Sequence, residues 1–210
     1  RQQALPDLSA LPRWAPVSFR RPKAPESIVN AMGEYQAMLD AIRDGAVNRV
    51  QSQIPADLEE RSNHLKSFGY FCDASMVGIA RLPIEARLEA PLRNPDINRL
   101  AQQLRSRQTQ TLASGIDMIM AELKEAMTAP PSAIDGHEFA LVFLYEYPRD
   151  PGTTEAGSDW IQDAQEQRAC LRANETAAVL ANYIRLLGWS AKAHSGATTD
   201  VDLTRLAVAA

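Results

Sequence analysis

The sequence is poor in cysteine: 210 residues contain two, Cys72 and Cys170. A four-thiolate metal site, an iron–sulfur cluster or a disulfide framework built within these residues is excluded, although one long-range disulfide stays open. Long apolar runs are also lacking. The longest, Phe139 to Tyr145, falls far short of the ~18 residues needed to span a bilayer. With 10 Gly and 13 Pro the chain is neither fibrous nor of low complexity. Basic charge is not in excess: 22 Lys and Arg against 26 Asp and Glu give −4, which argues against a nucleic-acid surface. There is no Gly-rich phosphate loop, no Gly-x-Ser-x-Gly elbow and no paired-carboxylate signature. His64, His137 and His194 have no partner His or Cys at metal-ligand spacing. Arg20-Arg21 is followed by Pro22-Lys23-Ala24-Pro25-Glu26 rather than an apolar run, so it does not read as a twin-arginine export signal. Two lone cysteines suit a reducing compartment, and a cytoplasmic protein without a membrane span is expected.

What remains is ordinary for a chain that buries a core: 45% apolar and 23% charged residues. Residues 1–27, with Pro6, Pro12, Pro16, Pro22 and Pro25, read as an extended arm. Residues 28–54 read as a helical lead-in, and 55–210 as a mixed domain. Ile28, Met32, Tyr35, Met38, Leu39 and Ile42 carry the spacing of an amphipathic helix, with Gly45 placed to end it. A second helix should begin near Pro55, present Leu58, Leu65 and Phe68 inward, and stop at Gly69. Asp57-Leu58-Glu59-Glu60 is its solvated first turn, favoured by the helix dipole.

Met76 to Ala80 reads as a buried strand. Asn94-Pro95 should open a long helix that carries Ile97, Leu100, Ala101, Leu104, Leu112, Ile116, Ile119 and Leu123. Gly115 interrupts that pattern and Pro130-Pro131 closes it. Phe139 to Tyr145, apolar at both parities, suits a central strand covered on both faces. From about Trp160 a helix of some 25 residues should run to Gly188. Trp189 to His194 should then form a strand, and Asp202 should cap a last helix. Helices and strands alternate throughout, so the fold class is α/β or α+β. Both cysteines read as buried and structural, with only Arg168 and Arg172 near Cys170 as local cations.

Three segments together resemble a known family. Leu65 to Ala80 resembles the helix-to-strand opening of the corrinoid-binding domain of reductive dehalogenases. Glu138 to Tyr147 resembles the next core strand of that domain. Glu175-Thr176-Ala177-Ala178-Val179-Leu180-Ala181-Asn182-Tyr183-Ile184-Arg185-Leu186-Leu187-Gly188-Trp189, then Ser190 to Ser195 and Val201 to Ala210, resembles a long helix with a Leu-Gly-aromatic step, a strand, a loop and a further helix. In that family, and in the related epoxyqueuosine reductases, the Ala-Val-Ala-Ala run continues into Gly-Leu-Gly. The chain is therefore expected to be cut short at Ala210, as the N-terminal portion of something longer.

The resemblance implies a nitroreductase-like fold that holds a cobalamin, with two [4Fe–4S] clusters outside this segment. The reaction implied is reductive removal of halogen from an organohalide, served by an electron donor and the remainder of the same polypeptide. It also implies that His194, Ser195 and Asp202 lie nearest the corrinoid. One departure stands out. Where respiratory relatives carry a proton-donating Tyr in a Tyr-Ser pair, Trp160 to Cys170 contains no Tyr. The alternatives are a non-catalytic structural copy of the domain that supports an active one, or an epoxyqueuosine-reductase-like or flavin-binding relative.

Overall fold

In a computed structural model of the chain, the described residues are 6–15, 20–106, 133–147, 149–162 and 164–210. The chain begins with a short 3-10 turn, Leu8–Ala10, whose Leu8 is buried. Helix α1 (Ile28–Ala41) and helix α2 (Leu58–Phe71) follow. Asp57 starts α2 by accepting the Glu60 N–H, as a carboxylate at an N-cap should. Strand β1 (Met76–Arg81) leads through a 3-10 turn at Ile84–Ala86 into strand β2 (Arg87–Leu92). Helix α3 (Asp96–Ser106) opens on Asn94, whose Oδ1 accepts the Asp96 N–H at 3.0 Å. Strand β3 (Phe139–Leu144), a single helical turn α4 (Ser158–Ile161), the long helix α5 (Gln165–Leu186), strand β4 (Thr199–Val201) and helix α6 (Leu203–Ala209) complete the order.

Among the described residues the strands form two separate antiparallel pairs. In β1–β3, Met76 lies opposite Leu144 and Arg81 opposite Phe139. In β2–β4, Arg87 lies opposite Val201 and Leu92 opposite Thr199, with an irregularity between. The class is therefore mixed, helices with small antiparallel sheets. Helix α1 packs on α5 and α3, α2 on β1, and α6 on β1 and β3. One core cluster gathers Ala86, Ile134, Val201 and Leu206; a second gathers Ala178, Ala181 and Ala193.

Several expectations change. Strand β3 meets neighbours on both faces, Phe143 against Gly69 of α2 and Ala140 and Val142 against the cluster of Ala86, Ile134, Val201 and Leu206, but among the described residues it is not central. It pairs with β1 alone among the described residues, and Phe139 and Leu144 at its ends are exposed. Gly69 does not stop α2; it sits inside the helix where a Cβ would come within 2.7 Å of Phe143 and 2.8 Å of Val77. Leu58, expected to face inward, is exposed. The helix expected from Trp160 is divided into α4 and α5, and Gln162 between them is extended-turn backbone. It does end as expected. Gly188 at φ +93 receives the chain in a Schellman arrangement, with Trp189 N–H on the Ile184 carbonyl and Gly188 N–H on that of Arg185.

Trp189 to His194 forms no strand: the Ala193 N–H donates to the Arg43 carbonyl just beyond α1 and the Ala191 carbonyl accepts from the Arg185 side chain, rather than from a ladder. The strand comes later, at β4, and its partner β2 is also new. Of the long pattern after Asn94-Pro95, the helix is described to Ser106; Leu112, Gly115, Ile116, Ile119, Leu123 and Pro130-Pro131 lie outside the described residues.

Candidate functional site

Helix α1 turns an unexpected face inward. Ile28, Tyr35, Met38 and Ile42 are exposed, while Gln36, Asp40 and, just beyond the helix, Arg43 are buried. These three recur at i, i+4 and i+7, one side of a helical surface. A buried polar stripe is tolerated only where each group finds partners, and two carboxylates organise those partners.

Asp40 is the first. Its Oδ1 accepts from Ser195 Oγ at 2.6 Å, from Asn174 Nδ2 at 2.9 Å and from Gln36 Nε2 at 3.2 Å; its Oδ2 accepts from Asn94 Nδ2 at 2.9 Å. All four donors are neutral. Burial pushes the Asp40 pKa up, and the donors from Ser195, Asn94, Gln36 and Asn174 oppose that rise. Asn94 N–H also donates to Thr198 Oγ1 at 2.9 Å. The Ser195 oxygen is held in a tight loop, where it accepts the Thr198 N–H at 3.0 Å.

Asp200 on β4 is the second, and its partners are cations. Lys192 Nζ lies 2.8 Å away, Arg43 Nη2 2.9 Å and Arg93 Nη2 3.4 Å. Burial works against its charge, but Lys192 and Arg43 outweigh it and hold the carboxyl below the usual 3.8. His194 stands at the edge of this group. Burial first, then Arg43, pushes its pKa down to about 3, so the ring is neutral at pH 7. The Asp200 N–H lies 3.3 Å from His194 Nδ1 and donates to it, which matches a neutral ring with its proton on Nε2.

Asp202 does a different job. It is fully buried, caps α6 by accepting the Arg205 N–H at 3.0 Å, and accepts the Trp14 N–H at 3.0 Å through its other oxygen. Arg205 in turn donates to the carbonyls of Glu85 at 2.8 Å and Leu11 at 2.9 Å. The proline-containing N-terminal segment is thereby tied to the last helix.

The three sequence-derived residues thus sit in one region but do not converge. His194 and Ser195 border an apolar cavity of about 450 Å³. It lies between the inner face of β3 and the alanines of α5, with His137 and Lys192 at its wall. Asp202 does not line it. The Cys170 thiol borders the same cavity, and burial pushes it up to about 12, so no thiolate nucleophile is available there. Cys72 is a free thiol as well. Arg172 does not serve Cys170: its guanidinium bonds Asp73 at 2.9 Å and lies over the Tyr145 ring. His64 and His137 approach Tyr183 Oη and Ser190 Oγ. Among the described residues no group of three His, Cys, Asp or Glu is disposed to hold a metal. Asp40, Asn174 and Asp200 were not singled out by sequence, and Asn94 was read only as a helix start. The signal that points to them is the spacing of Gln36, Asp40 and Arg43.

No protein-family model matches the sequence, and no curated protein does. Solved structures match closely in extent. A catabolic reductive dehalogenase, NpRdhA, superposes on 94% of this chain with a TM-score of 0.63 and 27% identity. The same dehalogenase in complex with 3-bromo-4-hydroxybenzoic acid matches with TM-score 0.63 and 28% identity, as does a reductive dehalogenase structure that suggests a mechanism for B12-dependent dehalogenation. In each case this chain spans 22% of the dehalogenase, about a fifth of its length. Over nearly all its residues, the chain is thus similar in sequence and structure to the reductive dehalogenases, as the three segments around α2–β1, β3 and α5–α6 imply.

Proposed function

We propose that the chain belongs to a B12-dependent reductive dehalogenase and forms a supporting domain of it rather than the part that holds the corrinoid. The match over 94% of the chain at 27% identity carries the first half of this reading. In it, the remainder of a longer, cytoplasmic polypeptide supplies the corrinoid site, the two [4Fe–4S] clusters and the contact with an electron donor. The organohalide binds there too. When bound, a cobalamin supplies the reduced cobalt centre for carbon–halogen cleavage.

The second half rests on the polar residues themselves. A corrinoid does not fit them as they stand. Asp202 is fully buried with both oxygens engaged, and Ser195 gives its hydroxyl to Asp40 at 2.6 Å. His194 accepts through Nδ1. The adjoining cavity of about 450 Å³ is walled mainly by alanine, leucine and phenylalanine side chains, and among the described residues its lining has no fully buried polar side-chain atom left without a partner to meet the amide-fringed edge of a corrin. The described residues therefore act on one another: they fix the loop 191–198 against α1 and α5, and the N-terminal segment against α6. No proton-transfer step is assigned to them.

Two measurements test the two halves. The complete polypeptide, loaded with hydroxocobalamin and reduced, should release bromide from 3-bromo-4-hydroxybenzoic acid or halide from another haloaromatic. No halide from a broad panel overturns the dehalogenase reading. The 210-residue chain, passed over a desalting column after incubation with hydroxocobalamin, should keep no corrin absorbance. Stoichiometric retention of that colour overturns the supporting role.

A further inference from the structure

Among the described residues, strand β3 has a neighbouring strand on one edge only. The Leu82 N–H donates to the Glu138 carbonyl and the Ser75 N–H to that of Leu144, each at 2.8 Å. Backbone groups alternate in direction along a strand, so those of Ala140 and Val142 also turn toward β1. Those of Phe139, Leu141 and Phe143 turn the other way, to the edge without a strand partner. The cavity of about 450 Å³ is lined by all six residues of β3, whose side chains alternate between two faces. It therefore reaches the strand's edge as well as its inner face. Ala191 to Gly196 line it too, as do Ala173 and Ala177 of α5, one turn apart.

This size and lining are those of a small-molecule site. Such sites enclose roughly 300–1,000 Å³ behind mostly apolar walls with few polar groups. Among the described residues no Asp, Glu or Arg lines the cavity, and its titratable groups, His137, Cys170, Lys192 and His194, bring no uncompensated charge. Lys192 Nζ has Asp200 at 2.8 Å, and His194 takes the Asp200 N–H. His137 meets Ser190 Oγ at 2.9 Å, and Cys170 keeps its proton. The strand edge alternates N–H and C=O, so it too carries no net charge. An anion would leave water there without a free counter-ion. Apolar walls hold water poorly, and an empty space forfeits the contacts that a filled one makes. Fused or linked aromatic rings suit it, because they bring a large apolar area with little conformational freedom to lose.

We propose that the cavity between β3, α5 and residues 191–196 is a binding site for a small, neutral aromatic molecule. This does not rest on the dehalogenase reading: its probes carry neither corrin nor halogen, so their failure to bind leaves halide release untouched. Fluorescence titration of the full 210-residue chain with N-phenyl-1-naphthylamine, and with its sulfonated analogue 1-anilinonaphthalene-8-sulfonate, tests it. The neutral probe should brighten and shift to the blue, and bind at least about tenfold more tightly than the sulfonate. Ala177→Leu puts a larger side chain into the cavity and should weaken the neutral probe about tenfold or more. No brightening up to the probe's solubility, equal affinity for the two probes, or an affinity unchanged in Ala177→Leu overturns the proposal. Should that variant not fold, a crystal of the unsubstituted chain grown with the neutral probe decides: rings lodged between β3 and α5 support the site, and a cavity without them overturns it.

Discussion

At the scale of the residue, Asp40 and Asp200 lie near each other yet are stabilised in opposite ways, one by neutral donors and one by cations. Asp40→Ala strips the acceptor from Asn94, Asn174, Ser195 and Gln36 at once and leaves buried donors unpaired. A loss of about 3 kcal/mol is expected, read as a lowered urea midpoint; a change within experimental scatter would mean that the hub adds nothing net. His194 gives a pH signature. Its folded pKa is depressed to about 3 against an ordinary 6.5, so between those values the unfolded chain binds a proton that the folded chain refuses. Stability therefore falls as pH drops through that window. His194→Gln should flatten the slope, leaving the share due to His137, which burial also depresses. A slope unchanged in His194→Gln refutes the assignment.

At the scale of the element, the last helix depends on one side chain for both its start and its anchor. Asp202→Ala removes the cap on Arg205 N–H and the acceptor for Trp14 N–H. About 1–2 kcal/mol should be lost, and trypsin should cut at Arg13 sooner than in the unsubstituted chain; an unchanged cleavage rate would disprove the anchoring. Elements with strong local signals were legible from sequence: Asp57 before α2, Asn94-Pro95 before α3, Gly188 after α5, Asp202 before α6. The strands β2 and β4 were not. β2 contains Glu89, Ala90 and Pro91, all exposed, and shows no apolar alternation, while β4 spans only Thr199–Val201. The inward face of α1 was misread because apolar spacing usually marks the core. Here tertiary partners for Gln36, Asp40 and Arg43 outweighed it, and these partners lie just before α3, in α5, in the loop 191–198 and in β4, where local sequence carries no trace of them. The region of His194, Ser195 and Asp202 was reached by resemblance, but their partners required the fold.

At the scale of the whole molecule, the interior is built from small side chains. Ala178, Ala181 and Ala193 form one cluster, with Ala177 and Ala191 packed against it, and the cavity of about 450 Å³ lies beside them. Alanine brings helices close but leaves volume where larger neighbours do not reach in. Ala177→Leu should fill part of that volume and raise stability by about 0.5–2 kcal/mol, seen as a higher melting temperature. A fall would mean that the space is not free to accept the side chain.

The two long-range ties have a consequence for synthesis. Asp40 waits for Ser195, 155 positions later, and Trp14 for Asp202, 188 positions later. Neither bond can close while the C-terminal quarter is still inside the ribosome, and contacts of such separation form slowly. Until then the polar face of α1 has only Gln36 and Asn94 to offer Asp40. A nascent chain paused before Asn174 should therefore hold a loose, protease-sensitive body. Sealing comes late, with the arrival of residues 174 to 205.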